Sequence, residues 1–136
     1  MKAAFLDTSG WFAAMSVKEA KHKPALAAYR AFIENGTQLV TTNLVVAEMH
    51  ILISRYRGVA DGLRFIDSLY QDASHDVVFV DREIERAAVD RWVRKFRDQQ
   101  LSVADAVSFE VMRTRRIRSA LTLDAHFAVV GFDLVP

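Results

Sequence analysis

The sequence predicts an α/β protein, a three-layer α/β/α sandwich with a central, mainly parallel sheet of four to five strands. Two observations support this fold class. Short apolar segments alternate with longer segments of helical periodicity, and the apolar segments lack the polar–apolar alternation of half-exposed strands. Strands that alternate with helices along the chain imply right-handed crossovers, with helices on both faces of the sheet. Because 136 residues with 51% hydrophobic content are enough for one core, we expect a single domain over residues 1–136.

Five strands are predicted from the short apolar runs, which lie at residues 2–6, 38–41, 76–80, 118–122 and 132–135. The segments between them carry apolar residues at helical spacing and predict helices at residues 9–16, 23–34, 43–57, 60–71, 82–97, 103–116 and 125–130. Asn35-Gly36 ends the second helix and Gly58 ends the third, because glycine is favoured just after a helix C-terminus.

Composition excludes several classes of protein. The chain has no cysteine, so it has no disulfide, no thiolate zinc site and no cysteine nucleophile. Its formal net charge of +1 argues neither for nor against nucleic acid binding. The apolar run before Asp7 is too short for a signal peptide, and there is no run of about 18 uncharged apolar residues to predict a membrane span. We therefore expect a cytoplasmic protein that does not enter the membrane.

Three aspartates interrupt or end apolar segments, where a carboxylate is costly unless something neutralises it. Asp7 ends the first predicted strand and Asp124 follows the fourth. Both should project from the carboxyl edge of the sheet, where open parallel sheets form their sites. Asp105 lies at the start of the sixth predicted helix. Each has a structural alternative: Asp7 and Asp124 could cap the helices that follow them, and Asp105 could belong to a capping box that begins at Ser102.

A fourth acid, Glu48, lies inside the third predicted helix. Its neighbours three and four residues away are all apolar: Leu44, Val45, Ile51 and Leu52. Residues at this spacing share a helix face, so the pattern predicts that Glu48 points inward with the core stripe. The alternative is a buried ion pair with a nearby arginine, Arg55 or Arg64.

Four acids that converge at one edge of the sheet would form a metal site. Neighbouring carboxylates raise each other's pKa, and a divalent cation relieves that repulsion. Mg²⁺ and Mn²⁺ take oxygen ligands and keep several waters, and such a cation polarises a phosphate oxygen and lowers the pKa of a bound water. Thr8, Ser9 and Thr122 add hydroxyl groups that would orient ligands or a substrate phosphate. The pattern predicts a metal-dependent phosphodiesterase.

Four segments resemble the PIN-domain family, especially the small ribonuclease toxins of VapBC toxin–antitoxin pairs. They are FLDTS at residues 5–9, VAE at 46–48, LSVADAVSF at 101–109 and LTLDAHF at 121–127, and their order and spacing agree over essentially the whole chain. The resemblance implies a sheet of parallel strands and an endoribonuclease that depends on Mg²⁺ or Mn²⁺. It also implies specific roles. The catalytic acids that hold the metal would be Asp7, Glu48, Asp105 and Asp124, with Thr8 and Thr122 as supporting polar residues.

The family resemblance also implies partners, namely an RNA substrate, an antitoxin protein and a second copy of the chain in a homodimer. The second and fourth predicted helices carry more apolar residues than one small domain needs. These residues are Leu26, Tyr29, Phe32, Ile33, Leu63, Phe65, Ile66 and Leu69. We interpret part of this surplus as a surface for the antitoxin or the second subunit, with ordinary packing against the sheet as the alternative.

Two other functions remain open. In a phosphotransfer or phosphatase protein Asp7 would be the nucleophile, although haloacid-dehalogenase-like enzymes carry a second aspartate where this chain has Ser9. A nonenzymatic binding module is the other class, and the four acids argue against it. His126 follows Asp124 closely and would either touch substrate or be an exposed or hydrogen-bonded histidine. The basic run at residues 113–118 is best interpreted as a solvated helix end that offsets the helix dipole.

Overall fold

A five-stranded parallel sheet forms the centre of the molecule. The computed structural model describes residues 2–136, and its strands are β1 Ala3–Leu6, β2 Gln38–Thr42, β3 His75–Val78, β4 Ser119–Leu121 and β5 Asp133–Val135. All five run parallel, in the order β3-β2-β1-β4-β5. Ala4, Phe5 and Leu6 are all buried, and since successive strand side chains point to opposite faces, both faces of β1 are covered. The predicted fold class is confirmed.

Seven α-helices connect and cover the strands within residues 2–136. They are α1 Thr8–Met15, α2 His22–Glu34, α3 Asn43–Arg57, α4 Val59–Leu69, α5 Arg82–Ala88, α6 Val103–Thr114 and α7 His126–Val129. The prediction of one continuous helix over residues 82–97 is wrong. After α5 the chain continues as a π-helical turn over Val89–Val93 and then as a 3₁₀ turn at Arg97–Gln99. Across residues 2–136, no helix combines the length and apolar character needed to cross a membrane.

The π-helical turn brings Trp92 against a buried acid on α6. Glu110 accepts hydrogen bonds from Trp92 Nε1 at 3.1 Å, from Arg91 Nε at 3.1 Å and from Arg113 Nη2 at 2.9 Å. The hydrogen bond from Arg113 holds the pKa of Glu110 below its usual range, against the opposing effect of burial. The periodicity of the sequence does not show this contact between two segments. The hydrogen bonds to Glu110 anchor α6, the helix whose first turn carries Asp105.

Backbone hydrogen bonds continue the sheet past the carboxyl ends of its central strands. The N–H of Asp7, just after β1, donates to the carbonyl oxygen of Leu121 in β4 at 3.1 Å. The N–H of Thr122, just after β4, donates to the carbonyl oxygen of Val135 in β5 at 3.0 Å. Two of the predicted site segments, those that follow β1 and β4, are therefore side by side at this edge.

Helix α1 lies directly on the backbone that follows β4, and Gly10 makes this approach possible. A Cβ atom at residue 10 would lie 2.4 Å from the carbonyl carbon and oxygen of Leu121 and 2.6 Å from the nitrogen of Thr122. Glycine is unfavourable inside a helix by about 1 kcal/mol relative to alanine. The close contact between α1 and β4 is the physical reason for glycine at this position.

A second polar cluster lies at the start of β3, where His75 is buried beside Trp11 and Tyr29. The indole of Trp11 stacks on the imidazole with ring centroids 5.9 Å apart. With the His75 proton on Nδ1, facing Asp72 at 3.3 Å, the Tyr29 hydroxyl donates to Nε2 at 2.7 Å. Burial raises the pKa of Tyr29 to about 12. Burial also lowers the pKa of His75, against the opposing charge of Asp72, so both groups are neutral at neutral pH.

Six of the eight apolar residues considered above as a partner surface are buried or half-buried. Phe65 and Leu69 are buried, whereas Leu26, Tyr29, Phe32 and Ile66 are half-buried. Ile33 and Leu63 are the members of this set that are exposed. Ordinary packing therefore accounts for most of the surplus on α2 and α4.

Replacing Gly10 with alanine should destabilise the protein by about 2–3 kcal/mol, because the new Cβ overlaps backbone atoms that cannot move aside like the end of a side chain. Urea unfolding would measure the loss. Gly36→Ala is the matched control: Gly36 has φ 69° and nothing within 4 Å of an added Cβ, so its cost is only the left-handed conformation, about 1 kcal/mol. A smaller loss for Gly10→Ala than for Gly36→Ala would contradict the close packing of α1 on β4.

The free energy of unfolding should fall as the pH drops below 6.5, in part because of His75. The pKa of the unfolded imidazole is 6.5 and burial lowers the folded value, so the unfolded state binds more protons in this range. One such group contributes at most about 1.4 kcal/mol per pH unit. His75→Gln keeps an acceptor for Tyr29 but does not titrate, so it should lose less stability than the wild type between pH 7 and pH 5. Thermal melts at both pH values provide the test, and equal losses would contradict a titrating, buried His75.

Candidate active site

Asp7 is the buried anchor of the site, with 8% of its surface exposed. It precedes α1, but its side chain makes no capping hydrogen bond to that helix. Instead Oδ2 accepts hydrogen bonds from Thr122 Oγ1 at 2.7 Å and from Ser9 Oγ at 2.9 Å. The helix-cap alternative for Asp7 is therefore wrong, and the carboxyl group joins α1 to the segment after β4.

The hydroxyl oxygens of Ser9 and Thr122 each accept a backbone N–H, which leaves the hydroxyl proton to point toward Asp7. Ser9 Oγ accepts the N–H of Leu123 at 2.9 Å, and Thr122 Oγ1 accepts the N–H of Asp124 at 3.0 Å. Each hydroxyl can therefore give its single proton to Asp7. Burial raises the pKa of Asp7, and the hydroxyls of Thr122 and Ser9 oppose that rise because they stabilise the carboxylate. The two hydroxyl groups offset part of the cost of burying the Asp7 carboxylate, and burial remains the larger effect.

Thr8 is also buried, at the start of α1. Its contribution to the site comes from its backbone N–H, which favours the charged form of Asp7 and so lowers the pKa of that carboxyl. Ser9 and Thr122 thus hold the positions expected of supporting hydroxyls, whereas Thr8 acts on the acid through its main chain.

Asp105 lies in the first turn of α6 and is half-buried. Its backbone N–H donates to Ser102 Oγ at 3.0 Å, so Ser102 is the N-cap of the helix. Burial raises the pKa of the Asp105 carboxyl, and the negative charges of Asp124 and Glu48 raise it further. The charge of Asp105 in turn raises the pKa of Asp7. Asp105 therefore lies close enough to the other three acids to interact with them electrostatically.

Asp124 is half-buried and closes the turn before α7. Its Oδ1 accepts the backbone N–H of His126 at 2.9 Å and lies 2.8 Å from Nδ1 of the same residue. The capping alternative is realised in part, since one oxygen accepts the backbone N–H of His126, the first residue of α7, although Ala125 holds the N-cap position. The charge of Asp124 nevertheless reaches Asp105, where it is the largest electrostatic cause of the raised pKa after burial.

Glu48 is exposed, so the prediction that it points inward is wrong. The buried positions of α3 are Val45, Val46, Met49 and Ile53. At about 100° per residue these centre on a direction more than 90° away from Glu48. The apolar neighbours were misleading because Ile51 is itself 47% exposed. The alternative of a buried ion pair with Arg55 or Arg64 also fails, because Glu48 is exposed and the Arg64 guanidinium pairs with Asp61 on α4.

The donor chemistry of the four acids fits a hard divalent cation. Within residues 2–136 no group of three or more acidic or histidine side chains lies close enough together to hold a metal ion. Mg²⁺ and Mn²⁺ are also bound through one or two direct carboxylate ligands, because water completes their coordination shells. Asp105 and Asp124 are half-exposed, and a cation would relieve the repulsion that the charge of Asp124 exerts on Asp105.

Two residues that shape the site, Gly10 and Glu110, were not predicted. Gly10 could have been noticed, because it is the third residue of an apolar helix, where glycine lowers helix stability and no turn requires it. Glu110 gave no signal, because its partners on the π-helical turn are brought close only by the folded chain.

The profile of the PIN domain family matches residues 4–133 of this chain. Two curated relatives from Mycobacterium tuberculosis are similar over nearly their whole length. The chain is 29% identical over 132 residues to the 23S rRNA-specific endonuclease VapC20, covering 94% of each protein. It is 33% identical over 127 residues to ribonuclease VapC26, covering 92% of this chain and 90% of the relative.

The fold agrees with a solved structure of the same group. The crystal structure of M. tuberculosis VapC20, described as a sarcin-ricin loop cleaving toxin, superposes with a TM-score of 0.82 at 26% sequence identity. The match covers 98% of this chain and 100% of the other. A more distant curated relative, a VapC ribonuclease of Archaeoglobus fulgidus, is 24% identical over 134 residues, covering 96% of this chain and 84% of the relative.

Asp7→Asn should stabilise the metal-free protein at neutral pH. The pKa of Asp7 is raised above its ordinary value of 3.8, so the stability from this group is complete below pH 3.8 and is lost as the pH rises through the folded-state pKa. Asparagine keeps an oxygen for Ser9 and Thr122 and carries no charge. We expect the Tm at pH 7, measured by calorimetry with EDTA, to rise by about 3–6 °C, which corresponds to roughly 1 kcal/mol at this size.

The gain should shrink as the pH is lowered toward 4, because the wild-type Asp7 then becomes protonated as well. Asp67→Asn is the matched control, since Asp67 is an exposed aspartate of α4 and should change the Tm little. A lower Tm for Asp7→Asn at pH 7 would show that the carboxylate contributes more to folding than its burial costs.

Proposed function

Because the chain belongs to the PIN domain family, we propose that it is an endoribonuclease dependent on Mg²⁺ or Mn²⁺ and that it is the toxin of a toxin–antitoxin pair. The observation that carries the proposal is the position of Asp7 directly after β1, where its Oδ2 accepts hydrogen bonds from Ser9 and from Thr122. The negative charges of Asp124 and Glu48 raise the pKa of Asp105, and the charge of Asp105 raises the pKa of Asp7. In a protein of this family such a cluster supports phosphodiester cleavage.

Asp7, Asp105, Asp124 and Glu48 are the residues that would hold the metal. When bound, a divalent cation supplies the positive charge that polarises a phosphate oxygen and lowers the pKa of a water. The protein's own contribution is to hold the oxygens in place. Ser9 and Thr122 fix the Asp7 carboxylate by two hydrogen bonds at the edge of the sheet. Glu48, exposed on α3, is free to approach a ligand at the rim of the site.

RNA is the substrate that the relatives favour. Two are named ribonucleases and one a 23S rRNA-specific endonuclease, and the chain covers at least 84% of each. The toxin role rests on the description of VapC20 as a toxin. With it we propose a protein antitoxin as partner, a cytoplasmic site of action and a homodimer. Ile33 and Leu63 are the exposed part of the apolar set on α2 and α4 that such partners would cover.

The contacts of Asp7 argue against the phosphotransfer alternative. Haloacid-dehalogenase-like enzymes carry a second aspartate where this chain has Ser9. Ser9 instead donates a hydrogen bond to Oδ2 of Asp7, as Thr122 does, so both hydroxyl groups fix the carboxylate. The arrangement suits a fixed ligand better than a group that forms and breaks a covalent bond.

Purified protein should cut a structured RNA in the presence of Mn²⁺ or Mg²⁺ and stop in EDTA. Asp7→Asn and Asp105→Asn should each reduce the rate at least about a hundredfold, because the metal supplies several kcal/mol of transition-state stabilisation. Mn²⁺ should also raise the Tm of the wild type, and raise that of Asp105→Asn less, since a ligand that binds only the folded state stabilises it.

Asp67→Asn serves again as the control and should cut at the wild-type rate. Cutting that survives Asp105→Asn would indicate a contaminating nuclease or a different site. If the wild type neither cuts RNA nor gains stability from Mn²⁺, the proposed metal-dependent ribonuclease is wrong and the binding-module alternative takes its place.

A further inference from the structure

One oxygen of Asp124 is fully engaged by a single neighbouring residue. Oδ1 accepts the backbone N–H of His126 at 2.9 Å and contacts the imidazole Nδ1 at 2.8 Å. The backbone on the other side of Asp124 is fixed as well, because its N–H donates to Thr122 Oγ1 at 3.0 Å. Asp124 is therefore held by its main chain and by one carboxylate oxygen, which leaves Oδ2 as the oxygen available to a further ligand.

The contact between Asp124 and His126 determines which ring nitrogen of the imidazole carries the proton toward Asp124. A nitrogen 2.8 Å from a carboxylate oxygen carries a proton and donates it, so Nδ1 is the N–H of the ring. Nε2 is then the nitrogen that faces away from Asp124. The His126 side chain is 39% exposed and that of Asp124 is 29% exposed, so this hydrogen bond lies at the open rim of the site.

An aspartate that holds a metal must present its oxygen in a fixed direction. A carboxyl group turns readily about its last torsion, and hydrogen bonds to the oxygen that does not bind the metal stop that rotation. The backbone N–H of His126 provides one such bond, and the imidazole provides the second. Removing partners of this type commonly costs 10- to 100-fold in metal affinity.

We propose that His126 is a positioning residue: its Nδ1–H holds Asp124 Oδ1, so that Oδ2 of Asp124 faces the metal. This role rests on the proposed function, because it presupposes a cation among the four acids. It assigns His126 to the ligand rather than to the RNA. The geometry favours that assignment, since Nδ1 already lies at hydrogen-bond distance from Asp124.

Two amide substitutions separate the two possible roles of His126 by atom. The side-chain nitrogen of asparagine falls near the position of Nδ1, whereas the amide of glutamine reaches the position of Nε2. If His126 acts through Asp124, His126→Asn should keep most of the Mn²⁺ affinity. His126→Gln and His126→Phe should then weaken Mn²⁺ binding by about tenfold. Calorimetric titration of the full chain with Mn²⁺ measures this without any nuclease assay.

A double-substitution cycle with Asp124→Asn tests whether the effect passes through that carboxylate. In the Asp124→Asn background, His126→Phe should change the Mn²⁺ dissociation constant by less than about twofold, because the group that it orients no longer carries the metal. Melting temperatures recorded in EDTA show whether each variant is folded. A merely structural role for His126 would lower these temperatures and leave the asparagine and glutamine variants alike in Mn²⁺ affinity.

Two results would overturn the positioning role while leaving the nuclease proposal intact. One is an unchanged Mn²⁺ affinity in His126→Phe. The other is a normal Mn²⁺ affinity in all three variants, together with a KM for RNA that is raised in His126→Asn and His126→Phe but not in His126→Gln. That result would place Nε2 on the substrate. If the wild-type protein itself fails to bind Mn²⁺, the proposed function fails and the positioning role fails with it.

Discussion

The buried carboxyl group of Asp7 is the point on which the candidate site depends. It receives two hydrogen bonds, from Ser9 on α1 and from Thr122 after β4, so a single side chain joins segments that lie more than a hundred residues apart. Gly10 lets α1 come close enough to β4 for both bonds to form. The backbone bond from Asp7 to Leu121 fixes the same two strands in register at this edge.

Asp105 connects this anchor to the rest of the acids at a cost to folding. Its pKa is raised by burial and by the charges of Asp124 and Glu48, and its own charge raises the pKa of Asp7. Carboxyl groups whose pKa is raised by burial and by neighbouring charges are typical of functional sites. The four acids differ in setting: Asp7 is buried, Asp105 and Asp124 are half-buried, and Glu48 is exposed. A cation bound by these acids would therefore have one buried, fixed ligand in Asp7 and one exposed, more mobile ligand in Glu48.

The sequence predicted those features that follow from local pattern and from topology. Apolar runs separated by helical periodicity were sufficient to predict the parallel sheet. The rule that sites form at strand carboxyl ends was sufficient to place the segments after β1 and β4, which carry Asp7 and Asp124, at the same edge. The orientation of Glu48 was missed because its apolar neighbours include Ile51, which is itself exposed, and periodicity cannot show which side of α3 meets the core. The π-helical turn was missed because it is stabilised by Trp92 and Glu110, a contact that exists only after folding.

In the proposed site the acids act as one cluster that is coupled through Asp105. The most direct test is to follow the carboxyl carbon of Asp7 by NMR as a function of pH, in metal-free wild type and in Asp105→Asn. Because the charge of Asp105 raises the pKa of Asp7, its removal should move the Asp7 titration midpoint to lower pH. An Asp7 midpoint that is the same in both proteins would show that the two carboxyl groups do not interact and would contradict the account.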